Sequence, residues 1–234
     1  QPLVRLDQAA HIAFLRLTFE YSLGDGIVIV EGRDDLIAGC VLRYLAGDGA
    51  IVNGWHNGVR SCDMYQLGRG CILMTGGDRR TLTPSNSYAV NNHLHHYGVL
   101  KSQYSAGLDI GSHDPVRLNP AAVGIYAAHN LLHHAPRDAV TFAGEENIFE
   151  YNEIHHCGFD TADTGAFYSW HDWTIRGIVI RYNYLHDTVG GVNPDDAASG
   201  STVFGNVLLG PRVGFCVASG PDHVFENNIV VKNE

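Results

Sequence analysis

Three acidic stretches in this chain could carry out acid–base chemistry: Glu145-Glu146, Asp163 and Asp195-Asp196. Two carboxyl groups held a few ångströms apart can divide proton donation from attack or proton removal. Around them stand residues of the kind that grip a hydroxylated ring. Trp170 and Trp173 offer flat apolar faces, Asp172 and Asn193 offer hydroxyl partners, and His113, His171 and Arg176 offer further polar contacts. A set of this composition suits binding and cleavage of a sugar chain, provided the fold brings residues more than eighty positions apart together.

A repeat provides the means. Asparagines at 92, 130, 152, 183, 206 and 228 open similar segments, spaced 38, 22, 31, 23 and 22 residues apart. Thr18, Cys40 and Cys62 extend the series upstream at the same 22-residue step. In phase with it, Gly26, Gly70, Gly107, Gly165, Gly191 and Gly214 each lead into three or four alternating residues. Short alternating runs bounded by Gly and Asn predict strands with one buried face. A basic period of 22 residues, lengthened by insertions in a minority of repeats, predicts a solenoid. The fold expected is all-β: a right-handed, single-stranded parallel β-helix of about nine coils, forming one domain over residues 1–234, with the asparagines stacked as a buried ladder.

Insertions show where that scaffold carries something more. Extra length falls at Asp78 to Asn86, Val99 to Ala106, Ser112 to Pro120, Cys157 to Thr164 and Trp170 to Arg176, always flanking the Gly-led strand. These loops should rim a groove. Counting outward along the strand places Glu145-Glu146 two coils below Asp195-Asp196. Their expected separation is about 9.6 Å from two coil rises, at the upper edge of the spacing of inverting glycosidases.

The phased repeat resembles that of the right-handed parallel β-helix families of bacterial carbohydrate-active proteins. The segments Asp163-Thr164-Gly165-Ala166-Phe167-Tyr168, Asp172-Trp173-Thr174 and Asp195-Asp196 add to the likeness. The resemblance implies a secreted, periplasmic or surface protein allied to polysaccharide hydrolases and lyases. The sequence departs from two of their patterns. It has no Gly-His-Gly or Arg-Ile-Lys motif of polygalacturonase type, and no clear Asn-Gly plus basic signature of the alginate and chondroitin lyases.

Composition narrows the reading. The formal charge is −10 over 234 residues, which argues against nucleic acid and anionic membranes as partners and disfavours a polyanionic substrate. No apolar run reaches the roughly 18 residues of a membrane span. Five cysteines with no CxxC fit neither a disulfide framework nor a zinc ribbon. His95, His133, His155 and His186 share one repeat position, and His96, His134, His156 and Asp187 the next; recurrence at one phase reads as stacking, so no metal site or cofactor is assigned. The leading expectation is a glycoside hydrolase using Asp195 or Asp196 with Glu145 or Glu146, Asp163 closing the groove. One alternative is a lyase acting on a uronate polymer through Lys101, Arg117 or Arg176, with Ca²⁺. The other is a non-catalytic carbohydrate-binding or adhesin rod. The first and last repeats begin and stop abruptly, which suggests end-to-end packing or a longer parent chain.

Overall fold

The computed structural model describes residues 1–111, 122–169, 172–210 and 212–232. Among these residues the chain forms 27 short strands and no helix. The strands make three parallel sheets of nine, each sheet taking every third strand. The chain therefore winds through about nine coils, a parallel β-helix. We call the sheet that includes strands Ile27–Arg33, Phe167–Ser169 and Gly190–Pro194 sheet A. Sheet B includes Tyr88–Val90 and Ile148–Glu150, and sheet C includes His93–His95 and Glu153–Cys157.

Alternation decides what faces inward. On sheet A, Ile27, Ala50, Ile72, Leu108, Val140, Phe167 and Val192 occupy one register row. All are at most 1% exposed and belong to the continuous core. On sheet C the corresponding row is Leu42, Met64, Leu94, Leu132, Ile154, Leu185 and Leu208. Each residue next in sequence points away from the core, because successive side chains on a strand alternate.

The corner between sheets B and C sets the register. Asn92 donates its amide to Asn130 Oδ1 at 3.0 Å and Asn130 donates to Asn152 Oδ1 at 2.9 Å. The chain of amides continues through Asn183 and Asn206 to Asn228. From Asn130 on, each ladder oxygen also accepts the backbone N–H of the asparagine in the preceding coil, as Asn152 Oδ1 does from Asn130 at 3.0 Å; Asn92 Oδ1 accepts that of Cys62. The residue before each ladder position bends the chain: Asn91, His129, Tyr151 and Tyr182 all have φ between 55° and 58°. That left-handed conformation costs a non-glycine residue roughly 1–2 kcal/mol, which the buried amide bonds offset.

Cys40 and Cys62 fill the slot upstream as buried free thiols, each donating to backbone carbonyls. Thr18 does not belong there. Thr18 pairs with Val41, the residue after Cys40, so the first coil places Leu17 in the slot. Counting a constant 22 residues missed the one extra residue between these coils. A second, shorter ladder lies at the corner between sheets A and B, where Asn57 Oδ1 accepts the Asp35 N–H at 3.0 Å and Asn147 Oδ1 accepts the Ile125 N–H at 2.8 Å.

Replacing Asn152 by Leu tests the ladder. Asn130 N–H would lose its acceptor and the Ala127 carbonyl its donor, at about 1–3 kcal/mol for each orphaned group. Urea unfolding should show Asn152→Leu destabilised by about 3 kcal/mol or more; a midpoint equal to the parent's would mean these amides are not buried partners.

Candidate functional site

The outward row of sheet A changes character along the helix. Val28, Ile51 and Leu73 form a small apolar cluster in the early coils. The same row then continues as Asp109, Thr141, Tyr168 and Asn193. Thr141 donates to Asp109 at 2.9 Å. Tyr168 is only 2% exposed, and its hydroxyl is the meeting point of two sequence-distant acids. Tyr168 Oη lies 3.1 Å from both oxygens of Asp163 and 3.0 Å from Asp195 Oδ2. The two carboxylates therefore approach within about 6 Å, the two contacts laid end to end. Burial, followed by the charges of Asp163 and Asp195, pushes the phenol well above its usual range. It stays protonated and has one proton to offer three carboxylate oxygens.

Beneath this trio lies a clamp. Arg137, with its side chain 3% exposed, donates to the Asp163 carbonyl from Nε at 3.2 Å and Nη2 at 2.8 Å. Its guanidinium also sits 5.1 Å from the Tyr168 ring centre and 4.6 Å from that of Tyr104. Asp138 accepts from Thr164 Oγ1 at 3.0 Å and from Gly165 N–H at 3.3 Å. Burial pushes the Asp138 carboxyl up to about 6 against the pull of Arg137. Together the two residues hold Asp163, Thr164 and Gly165 on both sides. Asp163 itself has φ of 56°, the turn that aims its side chain at Tyr168.

Asp195 follows the strand Gly190–Pro194 directly. Its Oδ1 accepts the Asp196 N–H at 2.9 Å while Oδ2 faces Tyr168, so one carboxylate both caps the turn and enters the cluster. Asp196 is exposed beyond that turn. Asp163 also lines a cleft of about 490 Å³, together with Phe159, Thr164, Asn193, Arg212 and Cys216. Asn193 Oδ1 is buried without a hydrogen-bond partner among the described residues.

Glu145 lies in a different cluster. Thr141, Tyr168 and Asn193 are level; Asp195 stands two residues past that row and Glu145 four. Glu145 comes after the bend at Gly144, φ 83°, and its backbone bridges to Val123 and Arg176. Its buried carboxylate is ion-paired with Arg79 at 2.6 Å. Arg79 in turn reaches Asp172 at 3.2 Å and Thr174 at 2.6 Å. Glu146 is exposed, with its N–H on the Arg176 carbonyl at 3.0 Å. Trp173 is 75% exposed on the same rim, and the Arg176 side chain is exposed beside it. His113, Arg117, Trp170 and His171 fall outside the described residues.

Arg137 and Asp138 went unmarked at the level of sequence, and Tyr168 was given no role beyond closing the segment that begins at Asp163. Asp138 had a signal: Asp25 and Asp48 precede their sheet A strands by the same two residues, and Asp48 likewise accepts the Gly70 N–H, at 2.8 Å. Groups of three His, Cys, Asp or Glu side chains close enough to share an ion occur, among the described residues, only on sheet C. No helix among the described residues is long and apolar enough to cross a membrane.

The family described as "Right handed beta helix region" matches residues 3–234, and the chain belongs to it. No curated sequence matches the chain significantly. Solved structures agree in fold at low identity. The A-module of a mannuronan C-5 epimerase from Azotobacter vinelandii superposes with a TM-score of 0.75 and 12% identity, over 96% of this chain and 59% of the other. An alginate lyase from Paenibacillus gives 0.55 and 14%, over 91% and 79%. A lacto-N-biosidase from Eubacterium ramulus gives 0.51 and 9%, over 89% and 51%.

The Arg79–Glu145 pair yields a stability test. Removing one partner of a buried ion pair leaves the other charge uncompensated, and Arg79's partial exposure reduces the cost to about 2–4 kcal/mol. Arg79→Met should lose that much in urea unfolding, and the double change Arg79→Met, Glu145→Gln should recover most of it. No recovery in the double variant would mean that Arg79 acts through Asp172 and Thr174 instead.

Proposed function

We propose that this protein cleaves a neutral or weakly charged polysaccharide as a glycoside hydrolase, with Asp163 and Asp195 as the working pair. The observation that carries the reading is the convergence of both carboxylates on one phenol hydroxyl beside a cleft. The two contacts hold their oxygens within about 6 Å of each other, short of the roughly 6.5–9.5 Å of inverting glycosidases and in keeping with retaining ones. Asp163, the more exposed and the one lining the cleft, is placed to attack the anomeric carbon. In that step a carbon–oxygen bond forms to Asp163 while the glycosidic bond breaks and its oxygen takes a proton from Asp195. Water then attacks the same carbon and gives a proton to Asp195, while the bond to Asp163 breaks and frees the sugar. Tyr168 orients both carboxylates, Asn193 and Arg212 meet substrate hydroxyls, and Phe159 or Trp173 offers a ring face.

Other observations support a carbohydrate. Proteins of similar fold are named for action on mannuronan, alginate and lacto-N-biose. The net charge of −10 repels a uronate polymer more than a neutral one. A polysaccharide substrate in turn implies a secreted, periplasmic or surface location, with no nucleic acid or membrane partner.

Assays on a polysaccharide panel test this. Asp163→Asn and Asp195→Asn should each lower turnover about 10²–10⁴-fold with melting nearly unchanged, while Asp196→Asn and Glu146→Gln stay near the parent. The first sugar product should keep the anomeric configuration of the substrate, read by NMR, and a chelator should leave turnover intact. An unsaturated, ultraviolet-absorbing product that requires Ca²⁺ would replace hydrolysis by β-elimination. Binding without turnover across the panel would make the molecule a carbohydrate-binding rod.

A further inference from the structure

The outer face of sheet C, remote in sequence register from the Asp163–Asp195 cluster, carries two columns of stacked rings. Tyr65, His95, His133, His155 and His186 form the first, with centroids 4.7–5.0 Å apart. His96, His134 and His156 form the second, at 4.5 and 5.0 Å. Stacking alone would need only the rings. Here the ring nitrogens also converge: His93 Nε2 faces His133 Nε2 at 2.8 Å, and His133 Nδ1 faces His134 Nδ1 at 2.6 Å.

We propose that His93, His95 and His133 form a binding site for a divalent transition-metal ion, oriented by Asp63. Each of the three offers a ring nitrogen within 4.8 Å of the others. Asp63 Oδ1 lies 3.0 Å from His93 Nδ1 and 3.2 Å from His95 Nε2, and so holds both rings. A carboxylate can only accept there, so His93 carries its proton on Nδ1 and turns the Nε2 lone pair toward His133. That carboxylate–imidazole pairing is the usual support of a metal-ligating histidine. The observed 2.8 Å need open only to about 3.3 Å, the ligand separation around a tetrahedral ion with 2.0–2.1 Å bonds. His93 is 41% exposed and His95 16%, so ions can reach the site. Imidazole nitrogens select Cu²⁺, Ni²⁺ or Zn²⁺ over the oxygen-seeking Ca²⁺. Two coils further on, Glu153, His155 and His186 repeat the arrangement, with Asp187 holding His186 Nδ1 at 2.8 Å.

Titration calorimetry on the full, tag-free chain, stripped with chelator, decides the matter using ZnCl₂ and CuCl₂ alone. At least one ion should bind with a dissociation constant of about 10 µM or below, and CaCl₂ should give no heat. His93→Gln should weaken the tight site at least tenfold, and Asp63→Asn about 10–100-fold because the ligand nitrogen stays but loses its orientation. His129→Gln, a histidine stacked on Tyr151 outside the group, should bind as the parent does. Circular dichroism should show all three variants folded; His95→Gln replaces any that is not. The proposal is overturned if neither ion binds below 100 µM, or if His93→Gln and His95→Gln both bind as the parent does. Equal weakening by His129→Gln would also overturn it.

Discussion

The buried asparagine amide at the corner between sheets B and C is the constraint on which the rest of the molecule depends. A parallel sheet by itself tolerates sliding by two residues, since that keeps the same side chains inward. The ladder from Asn92 to Asn228 removes that freedom, because each carboxamide must meet both an amide and a backbone N–H of the neighbouring coil. A slip would leave several buried polar groups without partners in every coil. Insertions of any length can then leave from the other corners without disturbing the stack. The spacing from Asn92 to Asn130 is 38 residues and that from Asn130 to Asn152 only 22, yet their amides meet in the same way.

Register is what creates the candidate site. Asp163 precedes its strand, Asp195 follows the strand of the next coil, and only the stacking of Tyr168 against Asn193 brings them to one hydroxyl. The arrangement crowds two carboxyl groups onto one hydroxyl, which a flexible surface would relieve by moving apart. Arg137 prevents this by bonding the Asp163 backbone rather than neutralising its side chain at close range: its Nη2 is 2.8 Å from the Asp163 carbonyl but 3.6 Å from Oδ2. The cation stabilises the turn and leaves the carboxylate facing the cleft.

Much of this was legible in the residues themselves. The asparagine spacing and the Gly-led alternation specified the coil, its period and the sheet that bears the insertions. Asp195 and Asp196 stood out because acids at strand ends stack in a parallel coil, and Asp163 because it begins a strand inside a rim insertion. Glu145 was misplaced by linear counting, since the left-handed bend at Gly144 carries the chain round a corner before the carboxylate appears. Thr18 was misplaced for a similar reason, one extra residue in the first coil. Tyr168 was hidden because an aromatic residue in an alternating strand reads equally well as core. Only its place in the row of Thr141 and Asn193 shows that it points outward. Arg137 lay in a loop, and nothing in sequence distinguishes a buried arginine from a solvated one.

Native-state hydrogen exchange of the asparagine side chains tests the central claim most directly. If the ladder fixes the register, the carboxamide protons of Asn130, Asn152 and Asn183 exchange only with global unfolding, as slowly as the backbone amides of the core strands beside them. Carboxamide exchange at the rate of a free, solvated amide, while those backbone amides remain protected, would contradict it.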